Sequence, residues 1–389
     1  MFEVHLSKPG WEAGAALKLP ATDAELLDAL ERARIVNERD IYSVTVYQCE
    51  KDYLPQVIPV SANLFELNLL AKRLTELDDW QQDCFEGLVA RDSVETGCEP
   101  IRLERLINMT YSTDDCQIAY KVRDDRALGA FYLENGFYDD RLTGLSEEMI
   151  EMLDTKKLGQ RSRSDEGGVF TRGGYVIPGD IRQVYSSGNT PYPQKPDYVF
   201  ALDIAKLPEA DEKNAQRGVT LRLPATEEEI NAAFEELGTD DIEGCCFLRY
   251  ESAIPQLLEA FGFLEDFHEL NELAKTVAAL EHEDVRKFKA VLEAADCGSV
   301  QQAALIAVRL DEYNLLYGAA GTQDAAALHL QKLLPRDEFE ALCPHVNMYA
   351  YAHERLGEEM RLTSYGLLSR YDGGQLIAPK PEEPGMNMY

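Results

Sequence analysis

Leu64, Leu67, Leu70, Ala71, Leu74 and Leu77 recur with the three-and-four spacing of one buried helix stripe. The same stripe returns 203 residues later as Phe267, Leu270, Leu273, Ala274, Val277 and Leu280, with Glu-Leu-Asn shared around its start. The register continues into Phe85, Leu88 and Val89 against Phe288, Val291 and Leu292, so a second helix after a short polar turn is repeated as well. The pattern predicts one fold written twice.

Upstream of the first stripe, Val4–Ser7 and Ala16–Leu19 alternate in polarity around Pro9-Gly10, which predicts a hairpin. Thr22 followed by Glu25 has the spacing of a capping box, and Leu26, Leu27 and Leu30 supply a buried face behind it. Tyr42–Cys49, rich in β-branched and aromatic residues, predicts a further strand. Downstream, Ile101–Met109 and Cys116–Val122 are short apolar runs that periodicity leaves open between helix and strand. A third segment holds Leu128-Gly129, an acidic helix over Ser146–Leu153, Lys157-Leu158-Gly159 and a glycine-rich hairpin end from Gly167 to Tyr175.

Pro191, Pro193 and Pro196, after a Ser/Gly/Asn run, predict an extended linker over 186–196. Beyond it Val199–Ile204 predicts a strand again, and Leu223-Pro224-Ala225-Thr226 repeats Leu19-Pro20-Ala21-Thr22, with Glu229 in the place of Glu25. Cys245–Tyr250 stands where the Tyr42 strand stood. The expected organisation is a first half over 1–185 in three α/β pieces (1–60, 61–115 and 116–185), the linker, a second half over 197–379 and a loose tail over 380–389.

Charge changes the picture. The 389 residues carry 70 acids against 38 bases, a formal net charge of −32. Residues 1–195 hold 34 acids and 22 bases, and residues 196–389 hold 36 and 16, so both halves are acidic. A chain so negative is repelled by phosphate, which argues against direct nucleic-acid binding. Eight cysteines show no C-x-x-C pair and do not recur between the halves, which predicts reduced thiols. No 18-residue apolar run and no basic, apolar leader occur, so the expectation is a soluble cytosolic protein with no membrane partner.

The search for chemistry finds no catalytic constellation. The six histidines form no i, i+4 pair, and there is no G-x-S-x-G motif and no Walker loop. The Gly168–Gly174 cluster is not followed by a helix start and predicts a turn, not a phosphate cradle. No metal site, cofactor or enzyme activity is expected. The remaining signal is the carboxylates. A net −32 equals the phosphate charge of about 16 base pairs of duplex, enough to compete for a DNA-binding groove; the plainer account is acid that only keeps the protein soluble.

The run Glu66-Leu67-Asn68-Leu69-Leu70-Ala71 and its copy Glu269-Leu270-Asn271-Glu272-Leu273-Ala274 resemble the L-N-E-L-A core of the ArdA antirestriction family. Leu128-Gly129, Lys157-Leu158-Gly159 and Gly168–Tyr175 resemble that family's C-terminal portion, as does Leu334-Pro335 through Leu356-Gly357. The resemblance covers nearly the whole chain, twice. It implies an α+β fold, an elongated tandem array of small domains that mimics bent DNA and blocks type I restriction–modification enzymes. Another DNA-binding defence system is the alternative target, and an acidic protein–protein adaptor is the reading from a different class. Because such family members pair into dimers, the expectation here is a homodimer or a pseudo-dimer within one chain. Candidate residues for the mimicking face are Glu66, Asp78, Asp79, Asp83 and Glu86, then Glu265, Asp266, Glu269, Glu272, Glu281, Glu283 and Asp284.

Overall fold

The computed structural model describes residues 1–37, 39–137, 147–206, 218–239, 242–260, 267–319, 321–355 and 360–379. The chain begins with β1 (Phe2–Lys8), β2 (Trp11–Leu19), α1 (Asp23–Arg32), β3 (Ser43–Cys49), α2 (Leu54–Val57), α3 (Leu64–Glu76), α4 (Asp79–Thr96) and α5 (Leu103–Thr110). Then come β4 (Gln117–Tyr120), α6 (Asp125–Asn135), α7 (Glu147–Glu151), α8 (Thr155–Glu166), β5 (Val169–Phe170) and β6 (Gly174–Ile177). The order then recurs: β7 (Phe200–Lys206), β8 (Val219–Leu223), α9 (Glu227–Leu237), β9 (Cys245–Ser252), α10 (Pro255–Ala260), α11 (Phe267–Ala278), α12 (His282–Ala294) and α13 (Val300–Ala307). It closes with β10 (Tyr313–Leu316), α14 (Thr322–Leu333), α15 (Arg336–Leu342), α16 (Met348–Arg355), β11 (Met360–Thr363) and β12 (Gly366–Arg370).

The described residues make a mixed α/β protein with four small sheets, in the orders β2-β1-β3, β4-β6-β5, β8-β7-β9 and β10-β12-β11. In both Leu-Pro-Ala-Thr segments the threonine caps a helix. Thr22 and Thr226 each accept from the backbone N–H three residues on, and Glu25 and Glu229 reach back to the threonine N–H at 2.7 and 2.8 Å. The same two corners are held from a distance. Asn68 accepts from Ala21 N–H at 2.7 Å and donates to Ala21 O at 3.0 Å, while Asn271 does both to Ala225 at 2.9 and 3.0 Å. One buried amide thus satisfies both polar groups of a backbone unit that lies outside any ladder.

The chain divides into two compact units. The first is Met1–His5, Ala16–Ala21 and Ser43–Tyr192; the second is Leu6–Ala15, Thr22–Tyr42 and Pro193–Tyr389. In the first, the expected stripe Leu64, Leu67, Leu70, Ala71 and Leu74 is fully buried along α3, and Cys84, Phe85, Leu88 and Val89 are buried along α4. Each such leucine contributes about 1.5–3 kcal/mol by leaving water. The ambiguous runs resolve into α5 and the strand β4, which pairs antiparallel with β6. Helices α6 and α8 cross at the paired Leu-Gly motifs. A Cβ on Gly129 would lie 1.8 Å from Thr155 O and one on Gly159 1.8 Å from Asp125 O, so only glycine lets the two backbones meet.

The Ser186–Pro196 stretch has no regular secondary structure, and its first part is strapped to the first unit. Val184 and Tyr185 N–H donate to Asn108 Oδ1 at 2.8 and 2.7 Å, and the rings of Tyr192 and Phe65 meet edge-on at 5.3 Å. In the second unit one continuous core joins β7 and β8 to α9, α11, α12 and α13, with Phe200, Phe288 and Tyr365 fully buried. No described helix is long and apolar enough to cross a membrane. The expected tail over 380–389 lies outside the described residues.

Candidate interaction surface

Helix α4 starts at a capping box: Asp78 accepts from Gln81 N–H at 2.8 Å, and the Gln81 side chain accepts from Asp78 N–H at 3.1 Å. With Phe85, Leu88 and Val89 turned to the core, Asp79, Asp83 and Glu86 share the opposite face at spacings of four and three. Two connections are drawn against this face. Arg172 N–H, in the β5–β6 turn, donates to Glu86 at 3.2 Å, and next to it Gly173 is so close to Asp83 that a Cβ would lie 2.9 Å from the carboxylate. After β3, Lys51 Nζ donates to the Gln82 side chain at 2.5 Å, and Asp52 pairs with the Arg172 guanidinium at 2.8 Å. Gln81 also reaches Asp114 at 3.3 Å, adding a further acid to the rim.

The titration of nearby groups reports the local potential. Partial burial raises the Asp83 carboxyl, and Asp79 adds to this against the pull of Lys51. Burial raises the Tyr53 phenol, and Glu86 and Asp83 push it further. Tyr120, about half exposed, is raised first by desolvation and then by Asp83, Cys84, Asp78 and Asp79. An anion forming here meets repulsion from several carboxylates at once.

The other expected surface acids distribute unevenly. Glu66 is a correction: it is only 9% exposed and lies under the strap, where Tyr185 OH, Ser187 Oγ and Gly188 N–H donate to it at 3.0, 2.5 and 3.3 Å. Its carboxylate organises the 185–188 segment and is not presented to a partner. In the second unit Glu269, Glu272, Glu281 and Glu283 are exposed and Asp284 half-buried. Several have local partners: Glu269 accepts from Gln301, Glu272 pairs with Lys275 at 2.7 Å, and Asp284 with Lys287 at 3.5 Å. Glu265 and Asp266 lie outside the described residues. Glu227, Glu228, Glu235 and Glu236 on α9 are exposed as well, with no pattern in the chain to single them out; the first two sit in the first turn, where the helix dipole favours acid.

The largest feature missed is a buried ion cluster within the second unit. Lys289 Nζ on α12 lies 2.8 Å from Asp28 and 3.0 Å from Glu31 on α1, and Arg286 Nε is 2.8 Å from Glu31. Asp28, 2% exposed, also accepts from Tyr365 OH at 2.6 Å, Gln256 at 3.2 Å and Arg32 at 3.0 Å. Burial opposes ionisation of both carboxyls, but Lys289 and the arginines outweigh it and hold both below their ordinary range. Burial likewise opposes the Lys289 charge, yet Asp28 and Glu31 raise its pKa. One turn beyond, Arg34 lies 3.8 Å over the Tyr317 ring and 4.3 Å from the Trp11 ring, and donates to Tyr317 O at 3.2 Å. This is a helix clamped on a face by charge. The one visible sign in the sequence was the acid pair Asp28 and Glu31 on the helix behind the Thr22 cap, whose partners stand some 260 residues away.

Among the described residues, no group of three or more His, Cys, Asp or Glu is placed to hold a metal ion. No protein-family model and no curated protein sequence matches the chain.

Proposed function

We propose that the protein is a DNA-mimicking antirestriction inhibitor that occupies the DNA-binding groove of type I restriction–modification enzymes, and that its halves are two ArdA-like units in tandem. The observation that carries this reading is the acid face of α4. At 1.5 Å rise per residue, Asp79, Asp83 and Glu86 span about 10.5 Å of helix axis, a mean interval of about 5 Å, with the capping Asp78 at its start. One DNA strand presents a charge about every 3.4 Å. The net charge of −32 extends that resemblance over the chain, and the recurrence of element order from β1–β6 to β7–β12 agrees with a tandem. Each carboxylate contributes little alone; the affinity comes from summed field and from counterions released by the enzyme's own Lys and Arg.

The test is competition. The purified protein should displace a fluorescent duplex from a type I restriction–modification complex, and the inhibition should weaken steeply as salt rises. Replacing Asp78, Asp79, Asp83 and Glu86 together by their amides should slow association about tenfold or more, while single replacements change it little. If the complex keeps its DNA at low salt and excess protein, the type I assignment is lost. Binding to the complex that persists near molar salt, without DNA displacement, would instead indicate an adaptor that recognises apolar surface.

A further inference from the structure

The face that α1 occupies in the second unit has a counterpart in the first, and at that counterpart the charge is reversed. Shifting by the 203 residues that relate the helix stripes, Arg286 becomes Asp83, Lys289 becomes Glu86 and Gln256 becomes Tyr53. The aromatic shelf is kept. A Cβ on Gly174 would meet Ala119 O at 2.3 Å and Tyr120 Cα at 3.0 Å, and one on Gly366 would meet Leu316 O at 2.4 Å and Tyr317 Cα at 2.9 Å, so Tyr120 takes the place of Tyr317. Tyr365, which in the second unit fills the floor and donates to Asp28, is replaced at the same turn position by Gly173, while Tyr53 stands beside Asp83 and Glu86 from the other side.

We propose that this α4 face of the first unit is a docking site for a basic helix of a partner protein. The occupant is a charge-reversed analogue of α1: Lys or Arg at i and i+3, where α1 has Asp28 and Glu31, and Arg at i+6, where α1 is followed by Arg34. Carboxylates alone would not define a site. The independent observation is α1 itself, a helix seated on the equivalent face of α12 through Asp28 and Glu31, with Arg34 just past its end lying over Tyr317 beside that face. On the first unit the cations Lys51 and Arg172 at the rim are held by Gln82 and Asp52, and Tyr120 is 51% exposed, so a guanidinium can stack on it as Arg34 stacks on Tyr317. The inference goes beyond DNA mimicry and does not need it: mimicry asks only for a sum of charges, whereas this face selects a helix by the order of its side chains.

The probe is a labelled, side-chain-stapled helix of residues 21–35 in which Asp28→Lys and Glu31→Arg have been made, titrated against the full chain by fluorescence anisotropy. It should bind at least tenfold more tightly than the unmodified 21–35 peptide and than a scrambled peptide of equal charge. In a chain carrying Asp83→Arg and Glu86→Lys the preference should invert, the unmodified peptide now binding more tightly. The milder amide pair Asp83→Asn with Glu86→Gln, and Tyr120→Ala separately, should each weaken the reversed peptide at least fivefold with the circular dichroism unchanged. Equal binding of the scrambled peptide, or binding indifferent to the α4 substitutions and to Tyr120→Ala, overturns the proposal. Peptide binding without displacement of DNA from a restriction complex would retain this site and reject the mimicry reading; DNA displacement without peptide binding would do the reverse.

Discussion

Removing the Lys289 charge measures how firmly α1 is clamped. Lys289→Met keeps most of the stem and deletes an ammonium whose side chain is 9% exposed and sits 2.8 Å from Asp28 and 3.0 Å from Glu31. Breaking a buried pair by deleting one partner costs about 3–5 kcal/mol, because the other charge stays behind without compensation. Here Arg32 at 3.0 Å and Arg286 at 2.8 Å remain with the two carboxylates, which places the cost near the lower end, about 3 kcal/mol. A chain of two units need not unfold in one step, so hydrogen exchange of individual segments is the better assay than a global melt. If α1 exchanges by detaching from its face, a loss of about 3 kcal/mol should speed exchange of its amides roughly 100-fold, while those of α3 in the first unit stay unchanged. Adding Asp28→Asn removes the uncompensated charge, so the double variant should recover about 1–2 kcal/mol relative to the sum of the single effects. Exchange in α1 that rises less than about fivefold on Lys289→Met would show that apolar packing, not the ion cluster, holds the helix.

Asn68→Ala and Asn271→Ala should each cost about 2–3 kcal/mol, since each leaves both polar groups of a buried backbone unit, Ala21 or Ala225, without a partner; urea denaturation followed by unit-specific exchange would show the loss confined to the unit that carries the substitution. Glu66→Ala should free the 185–188 strap, seen as rapid proteolysis near Ser187, at a cost of about 1–3 kcal/mol; continued resistance would mean that the Asn108 contacts alone hold it. Because the Asp28 and Glu31 carboxyls are held below their ordinary values of 3.8 and 4.5, the stability they contribute is complete above that range and is lost as pH falls through their lower folded values. Lys289, raised above 10.5, contributes fully below that value and is lost only as pH climbs through its higher folded value. Emission of Trp11, whose indole N–H donates to Arg32 O at 3.1 Å, should therefore stay constant between about pH 5 and 9 in a Trp80→Phe background and change below about pH 4; a midpoint near neutrality would contradict the assignment.

What the sequence showed and what it hid divide along contact distance. The stripes of α3 and α11 and the Thr22 and Thr226 caps were legible because the residues that decide them lie within one or two turns of each other. The runs at 101–109 and 116–122 stayed ambiguous because a short apolar segment has the same pattern as a buried helix or a strand. Pairing with β6, over 50 residues on, makes one of them β4. Glu66 looked like surface acid because it lies off the apolar stripe of its own helix. Only the strap from Tyr185 to Gly188, about 120 residues later, covers it. Gly129 and Gly159 stood out as a shared Leu-Gly motif, but that one exists to admit the other cannot be read from either alone.

Net charge hides a distinction that the repeat makes visible. Acid on α1 is not surplus: Asp28 and Glu31 are consumed by Lys289 and Arg286 inside the second unit, and their loss would weaken the fold. Acid on α4 stands at the positions those two bases hold in the other half, and there Glu86 accepts from the Arg172 backbone N–H and Gly173 lies against Asp83, while the Lys51 and Arg172 side chains are held by Gln82 and Asp52. Carboxylates of equal formal charge therefore do different work, one pair closing a buried ion cluster and the other standing half-buried beside the Arg172–Gly173 turn. A copy that kept Arg286 and Lys289 at both places would offer its first half as a second seat for α1 of another molecule, a head-to-tail contact that has no reason to close. Exchanging those bases for Asp83 and Glu86 repels the chain's own α1 and leaves the seat to a helix of opposite charge.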